Sequence, residues 1–207
     1  MINIAVFISG RGTNLQSIID SVEAGKIPVN LKVVISNNKD AYGLTRAEKA
    51  GIETRWVDPD KFNTDKKYED ELLRILEKKE IELVALAGFM RLLTPYFLHN
   101  FSGKAMNIHP SLLPSFRGLH AQKQAVDYGV KVSGCTVHFV DEGMDTGPII
   151  LQKTVPVYDS DDEDSLADRI LEKEHEIYPE AIRLYAEDKL ELKGRKVIRM
   201  EEKYNRK

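Results

Sequence analysis

The chain has 207 residues, with 30 Lys and Arg against 33 Asp and Glu, a formal net charge of −3, and 42% hydrophobic and 30% charged residues. These values fit one sizeable α/β domain, leave two complete domains cramped, and exclude a global basic footprint for nucleic acid. The single Cys135 cannot form an intramolecular disulfide, and no stretch approaches the ~18 apolar residues of a membrane span, so a reducing, cytoplasmic setting is expected.

The opening INIAVFI is apolar but short, lacks a basic leader and runs into a glycine loop, which makes it a strand rather than a signal peptide. Its nearly continuous apolar run suits a parallel sheet covered on both faces. Leu15, Ile18, Ile19 and Val22 recur at helical spacing until Gly25. LKVVIS is a second strand, a helix follows from Tyr42 to Ala50, and ETRWVD is a short third strand. Tyr68, Leu72, Ile75 and Leu76 predict an amphipathic helix from Thr64 to Lys79, and IELVALAG a fourth buried strand. Thr94-Pro95 predicts an N-cap and N1 proline opening a short helix. In the second half, KAMNIH is a strand ended by Pro110, and a helix spans His120 to Tyr128. KVSGCTVHFV and PIILQKTVPV are longer strands that can pair as a hairpin across DEGMDTG, and a last helix runs from Asp164 to Asp188. The expected fold is a doubly wound, mostly parallel central sheet flanked by helices. It forms one domain, 1–207, with its sheet shared between the halves.

Four constellations stand out. SGRGTNLQ, between the first strand and helix, leaves backbone N–H groups at a helix N-terminus, a natural anion site. A plain βα turn capped by Thr13 or Asn14 explains it equally well. Leu15 at the third glycine position breaks the dinucleotide fingerprint, and no Lys-Ser/Thr pair completes a Walker loop, so a phosphate monoester fits better. In MNIHP, alternation puts Ala105, Asn107 and His109 on one face and Met106 and Ile108 on the other. A lone histidine there would be read as core, but an amide beside an imidazole can stabilise an oxyanion. DEGMDTGP is either a solvated turn or the source of a carboxylate that orients the imidazole. It lacks the EF-hand spacing, and neither H-x-x-x-H nor a Cys pair supports zinc on His109 and His138, so no metal is expected. Last, Glu174 falls on the inward stripe of Leu166, Ile170, Ile177, Ala181 and Leu184. A carboxylate there needs a partner or ligand, unless it reaches solvent at a rim near a break at Pro179. The acidic run DSDDED before that helix reads as capping and macrodipole charge.

SGRGTNLQ, AGFMRLLT, MNIHPSLLP followed by GLH, TVHFV, DEGMDTGPII and EKEHEIYP together resemble the folate-dependent formyltransferase family from the first strand to the last helix. SGRGTNLQ and EKEHEIYP narrow the resemblance to the branch acting on glycinamide ribonucleotide. It implies a formyltransferase-like variant of the Rossmann fold, with a phosphate-binding half (about 1–101) and a catalytic and folate-binding half (about 102–207). It further implies formyl transfer from 10-formyltetrahydrofolate to the ribonucleotide amine in de novo purine biosynthesis, without a metal. By position it makes Asn107, His109 and Asp145 the catalytic group. Gly12, Thr13 and Asn14 would hold the substrate phosphate, and Glu174 the ribose hydroxyls. Met90, Arg91, Leu92 and Leu93, with Val140, Asp141, Glu142 and Gly143, would flank the folate, and Arg91 would meet its glutamate tail. His120 and Thr136 are weaker candidates for lining the site. Arg11, Arg117 and AQKQ after GLH (Gln122 included) depart from some relatives and bear on affinity. The implied partners are these two small molecules, with neither nucleic acid nor membrane, and a monomer or homodimer. The methionyl-tRNA and deformylase branches usually carry a further C-terminal or N-terminal domain, which is not expected here. Intact Asn107, His109 and Asp145 argue against a non-catalytic folate or phosphosugar binding module.

Overall fold

A computed structural model of the chain describes residues 1–200, and the final stretch 201–207, counted in the expected single domain, lies outside the described residues. In β1 (Ile2–Ile8), Ile4, Val6 and Ile8 enter one core cluster while Ala5 and Phe7 enter a second. A run of apolar residues needs both faces of its sheet covered, and helices do this here. The chain continues through α1 (Thr13–Glu23), β2 (Val29–Ser36), α2 (Tyr42–Lys49), β3 (Thr54–Trp56), a 3-10 turn at Pro59–Lys61, α3 (Asp65–Lys78) and β4 (Leu83–Leu86). Next come α4 (Pro95–Asn100), β5 (Lys104–His109), α5 (Ala121–Tyr128), β6 (Val132–Phe139), β7 (Ile149–Pro156) and α6 (Glu163–Ala186).

One seven-stranded sheet runs in the order β3-β2-β1-β4-β5-β6-β7. The strands from β1 to β5 pair in parallel, and β6 and β7 add on antiparallel. Chain order reverses between β1 and β4, and in open sheets of this kind ligands bind outside the carboxyl ends of the strands at that switch. The loops leaving these two strands are tied together: Ser9 N–H donates to Gly88 O and Met90 N–H to Ser9 Oγ, at 3.0 and 2.8 Å.

Helix α6 starts at a reciprocal cap, in which Ser165 N–H donates to Asp162 and Asp162 N–H to Ser165 Oγ. Arg169, with help from the Tyr158 N–H, holds Asp161 beside it well below the usual carboxylate range. Leu166, Ile170, Ile177, Ala181 and Leu184 are all buried, and the helix packs on α1, β6 and β7. It is continuous through the buried Pro179, where the sequence suggested a break; burial on both sides of the proline outweighs the one lost backbone bond.

One expectation is refined and one element is new. Thr94 stands at the N-cap of α4 with Pro95 just inside the helix, as expected, but its side chain makes no cap bond; its N–H and hydroxyl both donate to the buried carboxylate of Glu69 on α3. Glu69 sits 2% exposed and takes these donors in place of water. The hairpin β8 (Leu190–Lys193) and β9 (Lys196–Arg199), turning at Gly194 with φ 60°, was not anticipated. Its turn reaches the 141–147 loop, where Arg195 donates to Thr146 O at 2.7 Å. Among the described residues no helix is long and apolar enough to cross a membrane.

Candidate active site

The turn after β1 enters α1 through Gly12, which adopts φ 69° as the N-cap and offers no side-chain cap. A Cβ there would sit 2.7 Å from Gly43 Cα, so the start of α2 approaches as closely as glycine permits. Gly43 N–H donates to Gly10 O, and Arg46 Nε donates to Arg11 O at 2.9 Å, which puts a guanidinium beside the loop. The N–H groups at the start of α1 have no intrahelical acceptor and carry the positive end of the helix dipole. Thr13 and Asn14 therefore open the helix without capping it, and the loop keeps the features of an anion cradle.

Asn107 and His109 share one face of β5 near its carboxyl end, paired in register with His138 and Thr136 of β6. His109 is 4% exposed, with Nε2 2.8 Å from Phe116 O and Nδ1 3.4 Å from Asp145 Oδ2. Both ring nitrogens thus face oxygen acceptors, and only the imidazolium has a proton for each. Asp145 adopts φ 52° in the loop between β6 and β7, a conformation that aspartate tolerates better than most residues. Gly118 N–H donates to its Oδ2 at 2.8 Å, which fixes the carboxylate over His109.

His138 completes the cluster. Its Nδ1 lies 2.8 Å from Phe139 O and its Nε2 3.3 Å from Asn107 Nδ2, with Asp145 Oδ1 3.7 Å away. Burial pushes its pKa down, against the Phe139 hydrogen bond and the Asp145 charge, so the ring is neutral. The neutral ring donates from Nδ1 and accepts at Nε2, which holds the Asn107 amide with one N–H on the histidine and leaves the other N–H for a ligand.

Glu174 is 7% exposed on the inner face of α6, and Asn14 Nδ2 donates to its Oε2 at 2.7 Å. Burial pushes its carboxyl above the usual range, and the Asn14 bond opposes that shift. Asn14 Oδ1 is buried without a hydrogen-bond partner, an arrangement that costs stability unless a donor reaches it. The anion cradle and the inward glutamate are therefore one continuous site.

The segments expected to flank a folate follow β4 and β6. Met90 and Leu92 are 66% and 69% exposed, whereas Leu93 is core. Arg91 pairs with Asp65 and stacks on Tyr68. Val140 N–H donates to Ala105 O, Asp141 accepts from Gly143 N and Thr146 Oγ1, and Glu142 pairs with His99. The N–H groups of Met90, Val140 and Gly143 are thus already engaged, which leaves fewer backbone donors than the sequence suggested. Thr136 is buried beside His109, while His120 stands apart, 72% exposed at its side chain and beside Glu163. Arg117 O accepts from Gln124. Among the described residues no group of His, Cys, Asp or Glu is placed to hold a metal ion.

Arg46, Phe116 O and Gly118 N–H were not picked out from the sequence, and His138 was weighed there only as a metal ligand. Register was the missing signal for His138, since it faces Asn107 only once β5 and β6 are aligned.

Comparison with known proteins shows the family and the fold. Residues 2–182 match the family described as formyl transferase. The chain is 44% identical over 190 residues to phosphoribosylglycinamide formyltransferase of Escherichia coli (strain K12), covering 92% of this chain and 90% of that protein. It is 49% identical over 181 residues to the trifunctional purine biosynthetic protein adenosine-3 of Drosophila melanogaster, covering 86% of this chain and 13% of that much longer protein. A crystal structure of glycinamide ribonucleotide transformylase 1 from Symbiobacterium toebii superposes with a TM-score of 0.95 at 51% identity, covering 97% of this chain and 95% of that one.

Proposed function

The chain belongs to the formyl transferase family, and we propose that it transfers the formyl group of 10-formyltetrahydrofolate to the amine of glycinamide ribonucleotide, a step of de novo purine biosynthesis. The observation that carries the reading is the meeting of Asn107, His109 and Asp145 at one partly buried spot on the sheet's carboxyl edge, where His138 stands between Asn107 and Asp145. The substrate phosphate takes the backbone of Gly12, Thr13 and Asn14, and Arg46 adds positive charge behind it. The ribose hydroxyls meet Glu174, and a hydroxyl proton also suits the unpartnered Asn14 Oδ1. The folate lies between residues 90–93 and 140–143, covering the exposed side chains of Met90 and Leu92. On this reading the first half of the chain supplies most of the phosphate site and the second half the chemistry, in a cytoplasmic enzyme.

The ribonucleotide amine attacks the formyl carbon and makes a tetrahedral centre with an oxyanion. The free N–H of Asn107 and the imidazolium of His109 stabilise that charge, and the Nε2 proton now held by Phe116 O is the donor the oxyanion takes over. Asp145 orients His109 through Nδ1 and carries one proton from the attacking nitrogen to N10, directly or through water. Collapse then breaks the bond from carbon to N10 and releases tetrahydrofolate and the N-formyl product. No covalent enzyme intermediate is involved, because the amine is itself the nucleophile.

The test mixes the purified protein with glycinamide ribonucleotide and a 10-formyl folate and follows the deformylated folate optically. Release that depends on the ribonucleotide is expected. Equal release without it would make the protein a hydrolase of the formyl folate, and no turnover would leave a binding module.

A further inference from the structure

His109, Thr136 and Gln152 are register partners on β5, β6 and β7, so the three side chains stand in one row on the same face of the sheet. The Thr136 hydroxyl is used to capacity. It donates to Ser111 O at 2.6 Å and accepts from Leu113 N and Gln152 Nε2, each at 3.0 Å. A hydroxyl has one proton and two lone pairs, and all three are engaged. Gln152 Nε2 also donates to Leu113 O at 3.0 Å, so Leu113 is held through both its N–H and its carbonyl. Ser111 Oγ then donates to Ser115 O at 2.6 Å, and the next carbonyl along, Phe116 O, is the one on His109 Nε2. Two residues later Gly118 N–H reaches Asp145. The segment that touches both members of the catalytic pair is therefore anchored at its start by Thr136 and Gln152, and near its end by Gln124 Nε2, which donates to Arg117 O.

We propose that Gln152 is a positioning residue for the formyl-transfer site, acting through Thr136 and the segment from Ser111 to Phe116 to set the Phe116 carbonyl on His109. The proposal rests on the formyl-transfer reading for its kinetic consequence and on the hydrogen-bond chain for its structural one. Gln152 lies on the edge strand and is itself exposed, where substitution ordinarily does little. Its amide is nonetheless matched to its place, because two N–H groups meet two acceptors. A glutamate of the same shape would turn oxygens on Leu113 O and on the Thr136 lone pair. A methionine of the same length would leave both acceptors unpaired. Either change frees Leu113, and with it the carbonyl that sets the direction of the imidazole.

The experiment compares wild type with Gln152→Met and Gln152→Glu in the full chain, using steady-state kinetics, thermal midpoints, and nitrogen NMR of the histidine rings. Both variants are expected to stay folded and to lose about tenfold or more in kcat, since small misplacement of a catalytic group is costly. The KM for ribonucleotide should hold within about twofold, because its phosphate site lies at the far loop. The His109 ring signals should move and its Nε2 proton should exchange faster. Wild-type kcat in both variants would overturn the proposal, as would unmoved His109 signals. Should wild type itself not turn over, formyl transfer is the reading that fails. The ring signals then decide alone: moved signals uphold the positioning role and unmoved ones overturn it.

Discussion

Glu174→Gln separates the two demands placed on the buried carboxylate. The glutamine keeps an oxygen for Asn14 Nδ2 and removes the charge that burial disfavours. In wild type the folded pKa is raised above the ordinary 4.5, so the unfolded chain gives up this proton first as pH rises. The carboxylate's contribution to stability is therefore fully present below the unfolded value and is lost as pH climbs through the folded value. Across that window one proton separates the two states, and wild type loses up to about 1.4 kcal/mol per pH unit relative to the variant. For a chain of this size that corresponds to about 3–6 °C in thermal midpoint per unit. The neighbouring groups do not blur the comparison. Burial and, secondarily, Glu174 push the Cys135 thiol up to about 12 and the Tyr178 hydroxyl well above its usual value, so both stay neutral from pH 4 to pH 9. His175, which burial pushes down, is common to both proteins. Thermal midpoints of the two should converge near pH 4 and diverge upwards, with the variant more stable at pH 8 and weaker in ribonucleotide binding. A constant gap across that range, or a gap of opposite sign, would refute the account of Glu174 as a strained carboxylate kept for a ligand.

Asp145→Asn preserves the oxygen that accepts from Gly118 but removes the charge facing His109, and turnover should fall by about 10²–10⁴-fold. Calorimetric binding of the ribonucleotide should change little, and near-normal turnover would remove Asp145 from the mechanism. Gly12→Ala forces a methyl group against Gly43 at a positive φ and should destabilise the chain by about 1–3 kcal/mol. Ribonucleotide affinity should fall with it; an unchanged thermal midpoint and unchanged affinity together would show that the close approach is not needed.

Much of this molecule was legible in its sequence because both-face burial writes itself as apolar runs, as in Ile4 to Ile8 and Leu83 to Leu86. Strand alternation also showed that Asn107 and His109 look the same way, and helical spacing showed that Glu174 looks inward. What alternation cannot show is which elements meet. Asp145 reaches His109 because β6 turns back beside β5, and His138 faces Asn107 through the same register; neither follows from local pattern, and TVHFV reads simply as core. Arg46 reaches the loop between β1 and α1 only because α2 lands on Gly12. Thr94 shows the same limit: a threonine before a proline rightly marks the start of α4, but its hydroxyl goes to the buried Glu69, far off in sequence, instead of to a helix N–H. Pattern thus fixes which face a side chain takes, whereas strand order fixes its company. The switch of order between β1 and β4 gathers the loop at Gly12 and the segment after Gly88 at one edge, and the antiparallel return of β6 brings the Asp145 carboxylate to the same edge. A resemblance running from the first strand to the last helix could propose roles for these residues because it implies that order, which no single motif contains.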